Sequence, residues 1–330
     1  MQFSQYQDNE GSLDLYNYQA KSPFSQKHLL SLQDYSSDEI CQVLSLGLKL
    51  KNQQRNRIPH KLLEGKILAM IFAKSSTRTR VSFEVGMTQL GGTPLFLSSS
   101  DIQLGRGETI ADTARVLSRY VDGIMIRTYK QSDVEELAKH GSVPVINALT
   151  DLLHPCQALA DMMTIYEAKG DWKGKKLAFL GDGNNMAHSL MIACSKLGMD
   201  FSIGCPEGYE PDEEITAMAK QNALSRGSSL EITHNPEKAA EKADVVYTDV
   251  WSSMGQESES EERKKAFAPY QVNSSLFALA KSDAIFLHCL PAQRGEEVTA
   301  DIIDGPHSLV FDQAENRLHV QKAVLALLMK

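Results

Sequence analysis

From residue 66 onward, short apolar runs alternate with amphipathic stretches of helical length, and this alternation constrains the fold more than any single motif. The run at 66–73, Lys-Ile-Leu-Ala-Met-Ile-Phe-Ala, is apolar at consecutive positions, as expected of a strand buried on both faces. Comparable runs stand at 123–127, 143–146, 177–180, 201–203, 245–248 and 284–288. Helical stretches lie at 77–90, 110–120, 157–169, 186–197 and 212–225, with a late one at 314–329. Strand–helix alternation of this kind predicts an α/β chain of doubly wound parallel sheets with helices on both faces. A polar turn at 171–175 opens a second such unit, so a domain boundary near 150 is expected, with 157–169 as the linking helix. A length of 330 residues suits about two domains of 100–200 residues each.

Charge narrows the partners. There are 34 Lys+Arg and 42 Asp+Glu, a formal net charge of −8. That balance speaks against nucleic-acid polymers and membrane surfaces, which require basic patches, but not against a small anion met by a few arginines. The five cysteines are odd in number and form no CxxC, so reduced thiols are expected. No apolar run approaches 18 residues, so no membrane span is expected. The polar start, 1–27, carries Asp8, Glu10 and Asp14 but no arginine and no apolar segment, unlike a secretory or transit leader. It reads as a mobile tail, and the chain as cytoplasmic.

In open α/β sheets ligands sit beyond the carboxyl ends of the strands, and the polar clusters of this chain fall there. Ser75, Ser76, Thr77, Arg78, Thr79 and Arg80 follow one strand and open a helix, where hydroxyls, guanidinium groups and the positive helix end suit phosphate. Without Gly-Lys this is no Walker A loop, and a plain N-cap with solvent-facing arginines is the alternative. His154, Pro155, Cys156 and Gln157 precede the linking helix. There the imidazole and amide either address a common carbonyl oxygen or are ordinary polar residues at a helix start. Gly181, Asp182, Gly183, Asn184 and Asn185 resemble a dinucleotide fingerprint, but Met186 stands where the third glycine belongs. The alternative is a tight turn facing a small ligand. Asp249 ends a strand ahead of Ser253, Met254 and Gly255, a carboxylate suited to an ammonium group or else to a capped loop. His288, Cys289, Leu290 and Pro291 end another. Neighbours in a strand point to opposite faces, so His288 and Cys289 form no direct nucleophile–base dyad, and Cys289 suits binding better than covalent catalysis. No Cys, His, Asp or Glu grouping has zinc spacing, and no metal or other cofactor is expected.

Together Ser76-Thr77-Arg78-Thr79, His154-Pro155-Cys156-Gln157, Asp249 with Ser253-Met254-Gly255, and His288-Cys289-Leu290-Pro291 resemble the aspartate/ornithine carbamoyltransferase superfamily, and within it the ornithine branch. The resemblance runs from about Leu29 to Lys330. The Ser-Met-Gly loop distinguishes the ornithine branch from those acting on aspartate, putrescine or N-acetylornithine. It implies transfer of the carbamoyl group of carbamoyl phosphate to the δ-amine of L-ornithine, giving L-citrulline and phosphate through a tetrahedral intermediate, in arginine metabolism. It implies a homotrimer or a multiple of trimers, without cofactor. The site would lie between domains and at a subunit boundary.

The domains would be 28–153 for carbamoyl phosphate, joined by the returning helix 314–330, and 154–313 for ornithine. By position, Ser76, Thr77, Arg78 and Thr79 would hold the phosphate, and Arg127 would bridge phosphate and carbonyl. Gln103 would reach into a neighbouring subunit's site. His154 and Gln157 would take the carbamoyl group, while Asn185, Asp249, Ser253 and Met254 would take the amino-acid end of ornithine. Cys289 and Leu290 would line the reacting centre, closed by Arg317. Two other readings remain: a carbamoyltransferase for another amine such as putrescine, and a silent binding protein of the same fold. A nicotinamide dehydrogenase is disfavoured by Met186.

Overall fold

The computed structural model describes residues 13–98, 107–252 and 259–330. Helix α1 (Ser37–Arg55) precedes β1 (Ile67–Phe72), α2 (Thr77–Gln89), β2 (Thr93–Ser98), α3 (Ile110–Leu117), β3 (Gly123–Arg127), α4 (Gln131–His140) and β4 (Val145–Leu149). Helix α5 (Pro155–Lys169) leads to β5 (Lys176–Leu180), α6 (Asn185–Leu197), β6 (Asp200–Gly204), α7 (Glu213–Arg226), β7 (Leu230–Thr233), the short α8 (Pro236–Ala240) and β8 (Val245–Thr248). Then come α9 (Ser260–Phe267), α10 (Ser274–Phe277), β9 (Ile285–His288), α11 (Ala300–Ile303) and the long α12 (Val310–Leu328).

The strands form two wholly parallel sheets, ordered β2-β1-β3-β4 and β7-β6-β5-β8-β9. Each order reverses once, between β1 and β3 and between β5 and β8. These are the switch points where helices leave to opposite faces and a crevice opens.

Side-chain alternation divides each central strand between two cores. Leu68, Met70 and Phe72 of β1 join one apolar cluster, while Ala69 and Ile71 join another with Ala114, Val134 and Leu137. In β5, Leu177 and Phe179 face the first of these clusters, whereas Ala178 and Leu180 face a third with Val246 and Phe286. Both faces of both sheets are therefore covered, which is why these strands read as unbroken apolar runs.

The largest cluster is common to both sheets and runs through α5 and α12. Every residue of α5 from Pro155 to Tyr166 is buried. Helix α12 packs against α1, α2 and α5.

Two strands went unforeseen, β2 and β7, and both are edges. Their residues are only half covered or exposed, so their sequences show no unbroken apolar run. Helix α1 begins with a capping box in which Ser36 and Glu39 satisfy each other's backbone N–H. The described part of the polar start, 13–27, is packed rather than free. Leu15 is fully buried and its N–H donates to Tyr166 Oη at 2.8 Å. Asp38 accepts from Tyr18 Oη and Ser22 Oγ, and Glu39 from Ser25 Oγ, so two acids in the first turn of α1 fasten this segment.

Lys51 links three helices. Its buried ammonium donates to Glu167 of α5 and to Asn316 of α12, each at 2.7 Å. Lys51→Met should leave Glu167 without its cation and cost about 3 kcal/mol. The check is the denaturant midpoint, and an unchanged midpoint would mean that this contact does not fasten α12.

Candidate active site

The carboxyl ends of β1, β3, β5, β8 and β9, with the start of α5 and one turn of α12, enclose a cavity of about 1190 Å³. Its first wall is cationic. Ser76 caps α2, its Oγ accepting from Thr79 N at 3.2 Å, so Ser75, Ser76 and Thr77 line the cavity at a helix N-terminus. Arg78 reaches across to the other sheet, where its Nη2 donates to Leu290 O at 2.7 Å. Arg127 ends β3, is buried, and its Nε has no hydrogen-bond partner among the described residues. Burial, then repulsion by Arg317 and Arg78, lowers its guanidinium to about 10. Arg317, on α12, donates to Gln157 Oε1 at 2.7 Å and to Thr79 Oγ1 at 3.1 Å. Gln321, with its amide oxygen facing the guanidinium, accepts from Arg317 Nε at 3.2 Å.

His154 precedes α5 and is buried. Its backbone N–H donates to Ser189 Oγ at 2.7 Å, and its ring Nδ1 has no partner among the described residues. Burial, reinforced by Arg317, Arg127 and Arg78, holds the imidazole well below its ordinary value, so it is neutral at pH 7.

The second wall carries a carboxylate and a thiol. Asp249 follows β8. Its Oδ1 accepts from Val250 N at 2.8 Å and from Cys289 Sγ at 3.0 Å, and its Oδ2 from Asn184 Nδ2 at 3.0 Å. Burial, then the charge of Asp249, pushes the Cys289 thiol well above its ordinary value, so it stays protonated. Asn185 opens α6, and its amide donates to Thr150 O at 2.7 Å.

The Gly-Asp-Gly turn is a tight turn and not a nucleotide cradle. A Cβ on Gly183 would stand 2.3 Å from Pro211 N, and Asn184 Oδ1 already accepts the N–H groups of Met186 and Ala187. The helix end that would meet a pyrophosphate is thus already capped.

Asp249, His288 and Cys289 each bring a ligand-type atom within 4.8 Å of the others, a grouping that chain spacing did not reveal. Both nitrogens of His288 are engaged, Nε2 with Glu297 Oε1 at 3.1 Å and Nδ1 with Leu290 N at 2.9 Å. The histidine therefore shapes the loop around Leu290, whose φ is +57°, while the thiol faces Asp249.

Sorting the charges that line the cavity gives a simple result. Of its carboxylates, Asp151 pairs with Lys74 and Asp182 with Arg263; Glu210, partly exposed, lies 3.5 Å from His234, and the buried Asp249 has no cation among the described residues. Of its cations, Lys74 and Arg263 are thereby used. Arg78, Arg127 and Arg317 have no carboxylate among the described residues. The cavity can thus hold an anion at three guanidinium groups and an ammonium at one carboxylate.

Of the site residues that sequence reasoning named, Ser76, Thr77, Arg78, Thr79, Arg127, His154, Gln157, Asn185, Asp249, Cys289, Leu290 and Arg317 all border the cavity. Gln103, Ser253 and Met254 lie outside the described residues. Arg80 does not converge with Arg78. It pairs with Glu84 at 3.0 Å and lies over the Phe96 ring, because the helical turn carries it to another side of α2. Asp182 and Asn184 were named within the Gly-Asp-Gly turn, while Lys74 and Arg263 were missed. A position just past β1 could have flagged Lys74, but Arg263 stands in a charged run that reads as surface.

These features define a group-transfer site, set between two parallel α/β sheets, for an anionic donor and a small amine. The family described as aspartate/ornithine carbamoyltransferase matches twice, its carbamoyl-P binding domain at residues 27–167 and its Asp/Orn binding domain at 173–328. The chain belongs to the aspartate/ornithine carbamoyltransferase family. It is 63% identical over 303 residues to an ornithine carbamoyltransferase of Pyrococcus abyssi, covering 92% of this chain and 96% of that one. Identity and coverage are the same for an anabolic ornithine carbamoyltransferase of Pyrococcus furiosus. The solved structure of ornithine carbamoyltransferase from Pyrococcus furiosus superposes with a TM-score of 0.91 at 62% identity, covering 93% of this chain and 98% of that one.

The state of Cys289 can be tested directly. It is the one partly exposed cysteine, the other four being buried. Its raised pKa predicts slow labelling by iodoacetamide at pH 8, accelerating at higher pH, against an ordinary thiol value of about 8.5. Labelling at pH 7 as fast as that of free glutathione would contradict a thiol held protonated by Asp249.

Proposed function

We propose that this chain transfers the carbamoyl group of carbamoyl phosphate to the δ-amine of L-ornithine, forming L-citrulline and phosphate in arginine biosynthesis. The observation that carries the reading is the sorting of cavity charge: three guanidinium groups free of carboxylates face one carboxylate free of cations. That pattern matches a phosphorylated donor beside an amino acid, and the relatives at 60–63% identity bear the name of this activity.

Residue roles follow from placement. Ser76, Thr77, Arg78 and Thr79, at the N-terminus of α2, hold the phosphate, and Arg127 spans phosphate and carbonyl oxygen. His154, as a neutral imidazole, and Gln157 take the carbamoyl group. Asp249 and Asn185 hold the amino-acid end of ornithine, joined by Ser253 and Met254. Residues 28–153 with 314–330 serve the donor, and 154–313 serve ornithine.

The neutral δ-amine attacks the carbamoyl carbon. Negative charge gathers on the carbonyl oxygen among Arg127, Thr79 and His154, and the C–O bond to phosphate breaks. The proton lost from nitrogen ends on the departing phosphate. Donors fixed in advance at the oxygen favour the charge of the transition state, and confinement of both reactants supplies proximity. Cys289 keeps its proton and lines the centre without forming a covalent intermediate.

A homotrimer, or a multiple of trimers, is part of the proposal. Val81 and Val85 on α2 and Leu95 on the edge strand β2 are exposed apolar residues beside the phosphate loop, and Gln103 would enter a neighbour's site. Among the described residues no helix is long and apolar enough to cross a membrane. Five free thiols support a reducing, cytoplasmic setting.

A citrulline assay with ornithine and putrescine as alternative acceptors tests the reading. Ornithine should be favoured strongly. Preference for putrescine would move the chain to another branch, and ligand binding without product would make it a silent relative. Arg78→Ala should lower kcat/KM for carbamoyl phosphate by at least tenfold, matching the loss of a charge-assisted hydrogen bond worth about 1.5–3 kcal/mol. Turnover within a few-fold of the parent would sink the phosphate assignment.

The pH profile tests the nucleophile. An alkyl ammonium has a pKa of about 10, so kcat/KM for ornithine should climb roughly tenfold per unit from pH 6 toward the value of the free amine, while kcat levels off at the value of the bound one. A rate flat from pH 6 to 9 would remove the free amine from the mechanism.

A further inference from the structure

On α5, one turn beyond Gln157 and behind the cavity wall, stands a fully buried carboxylate that pairs with no cation among the described residues. Asp161 Oδ1 accepts from Gln157 Nε2 at 2.8 Å and from Gln313 Nε2 at 2.7 Å, while Tyr247 Oη donates to its Oδ2 at 3.3 Å. A carboxylate placed so deeply, with amides and a phenol as its hydrogen-bond partners among the described residues, is costly to fold around. The second end of the Gln157 amide explains its presence. Gln157 Oε1 accepts from Arg317 at 2.7 Å. A side-chain amide has two ends that differ only in hydrogen-bonding sense, and rotation by half a turn exchanges them. Here a group that only accepts holds the nitrogen and a group that only donates holds the oxygen, so a single orientation remains.

We propose that Asp161 is a positioning residue for carbamoyl transfer, locking the Gln157 amide with its nitrogen inward and its oxygen toward the cavity. The inference rests on the reading of Gln157 as a carbamoyl contact. A carbamoyl group presents an NH2 that needs an acceptor; the flipped amide would offer it a second donor. Asp161 also reaches two other strand ends, because Gln313 Oε1 accepts from His288 N at 3.0 Å and its Nε2 also donates to Tyr247 Oη at 3.1 Å.

Burial raises the Asp161 carboxyl to about 7, against the lowering effect of its hydrogen bonds and of Arg317. The ionisable groups facing it are Arg317 from α12, Tyr247 from β8, Cys194 from α6 and Cys289 beyond β9. The lock survives protonation. A proton on Oδ2 is donated to the Tyr247 hydroxyl, and Oδ1 remains the acceptor for both amides.

The test is steady-state citrulline formation by the full chain and four variants. Asp161→Leu removes the acceptor while keeping the branching of the side chain, and should lower kcat/KM for carbamoyl phosphate about tenfold to a hundredfold, leaving KM for ornithine within about twofold. Asp161→Asn keeps an oxygen toward the two glutamines and a nitrogen toward Tyr247, and should restore the rate to within about threefold of the parent. Gln157→Ala should fall as far as Asp161→Leu, and the double variant little further, since both changes remove a shared contact.

Multiplicative losses in the double variant would overturn the proposal, showing that Asp161 acts apart from Gln157. Should Asp161→Leu fail to fold, judged by circular dichroism and sizing, Asp161→Asn decides: a folded variant that loses more than tenfold overturns it. Gln157→Ala at the parental rate would instead refute the carbamoyl contact itself, and absence of citrulline from the parent would refute the proposed activity.

Discussion

Three guanidinium groups share one cavity without a carboxylate to separate them, and much of the architecture can be understood as the means of holding them there. Like charges in a partly dry pocket repel, and this repulsion adds to burial in lowering the Arg127 guanidinium. Neutral acceptors on other elements hold two of them. Arg78 is fixed by the Leu290 carbonyl, and Arg317 by Gln157, Thr79 and Gln321. None of these neutralises charge, so the pocket stays electropositive until an anion enters. A carboxylate at any of these places would have stabilised the empty protein and occupied the site.

Those contacts require elements that are distant in sequence to meet. Arg78 and Leu290 are 212 residues apart and Arg317 and Thr79 are 238. The parallel sheets solve this by setting strand carboxyl ends side by side at two switch points, and α12 completes it by running back across α1, α2 and α5. The Lys51 contact with Glu167 and Asn316 fastens the turn of α12 that carries Arg317. The cationic wall comes from the first sheet and this last helix, and the carboxylate–thiol pair from the second sheet. Donor and acceptor are thus approached from opposite sides.

What could be read from the sequence depended on whether a signal was local. Central strands buried on both faces show as continuous apolar runs, so β1, β3, β5, β6 and β8 were legible, whereas the edges β2 and β7, half covered and mixed in polarity, were not. Helix α1 went unread although Ser36 and Glu39 form a capping box at its start, because no strand–helix alternation surrounds it. Within the site, residues at strand ends could be named because the fold class alone places them at a crevice. Arg80 was misplaced since residues two apart in a helix diverge by about 200°, so Arg78 and Arg80 do not face the same ligand. Asp161 and Arg263 were invisible because their meaning lies in partners 152 and 81 residues away, Gln313 and Asp182.

Net charge illustrates the same division between composition and placement. At −8 the chain looks a poor receptor for phosphate. Yet two of the acids around the cavity are spent, Asp151 on Lys74 and Asp182 on Arg263. Glu210, partly exposed, lies 3.5 Å from His234, an ion pair only when that imidazole is protonated. The described lining then keeps three guanidinium groups and the buried Asp249. Ornithine with its δ-amine deprotonated is a zwitterion and adds no net charge beside the guanidinium groups, whereas ornithine with both amines protonated adds a positive one. The electrostatics that suit an anionic donor thus also disfavour the proton that would otherwise block attack.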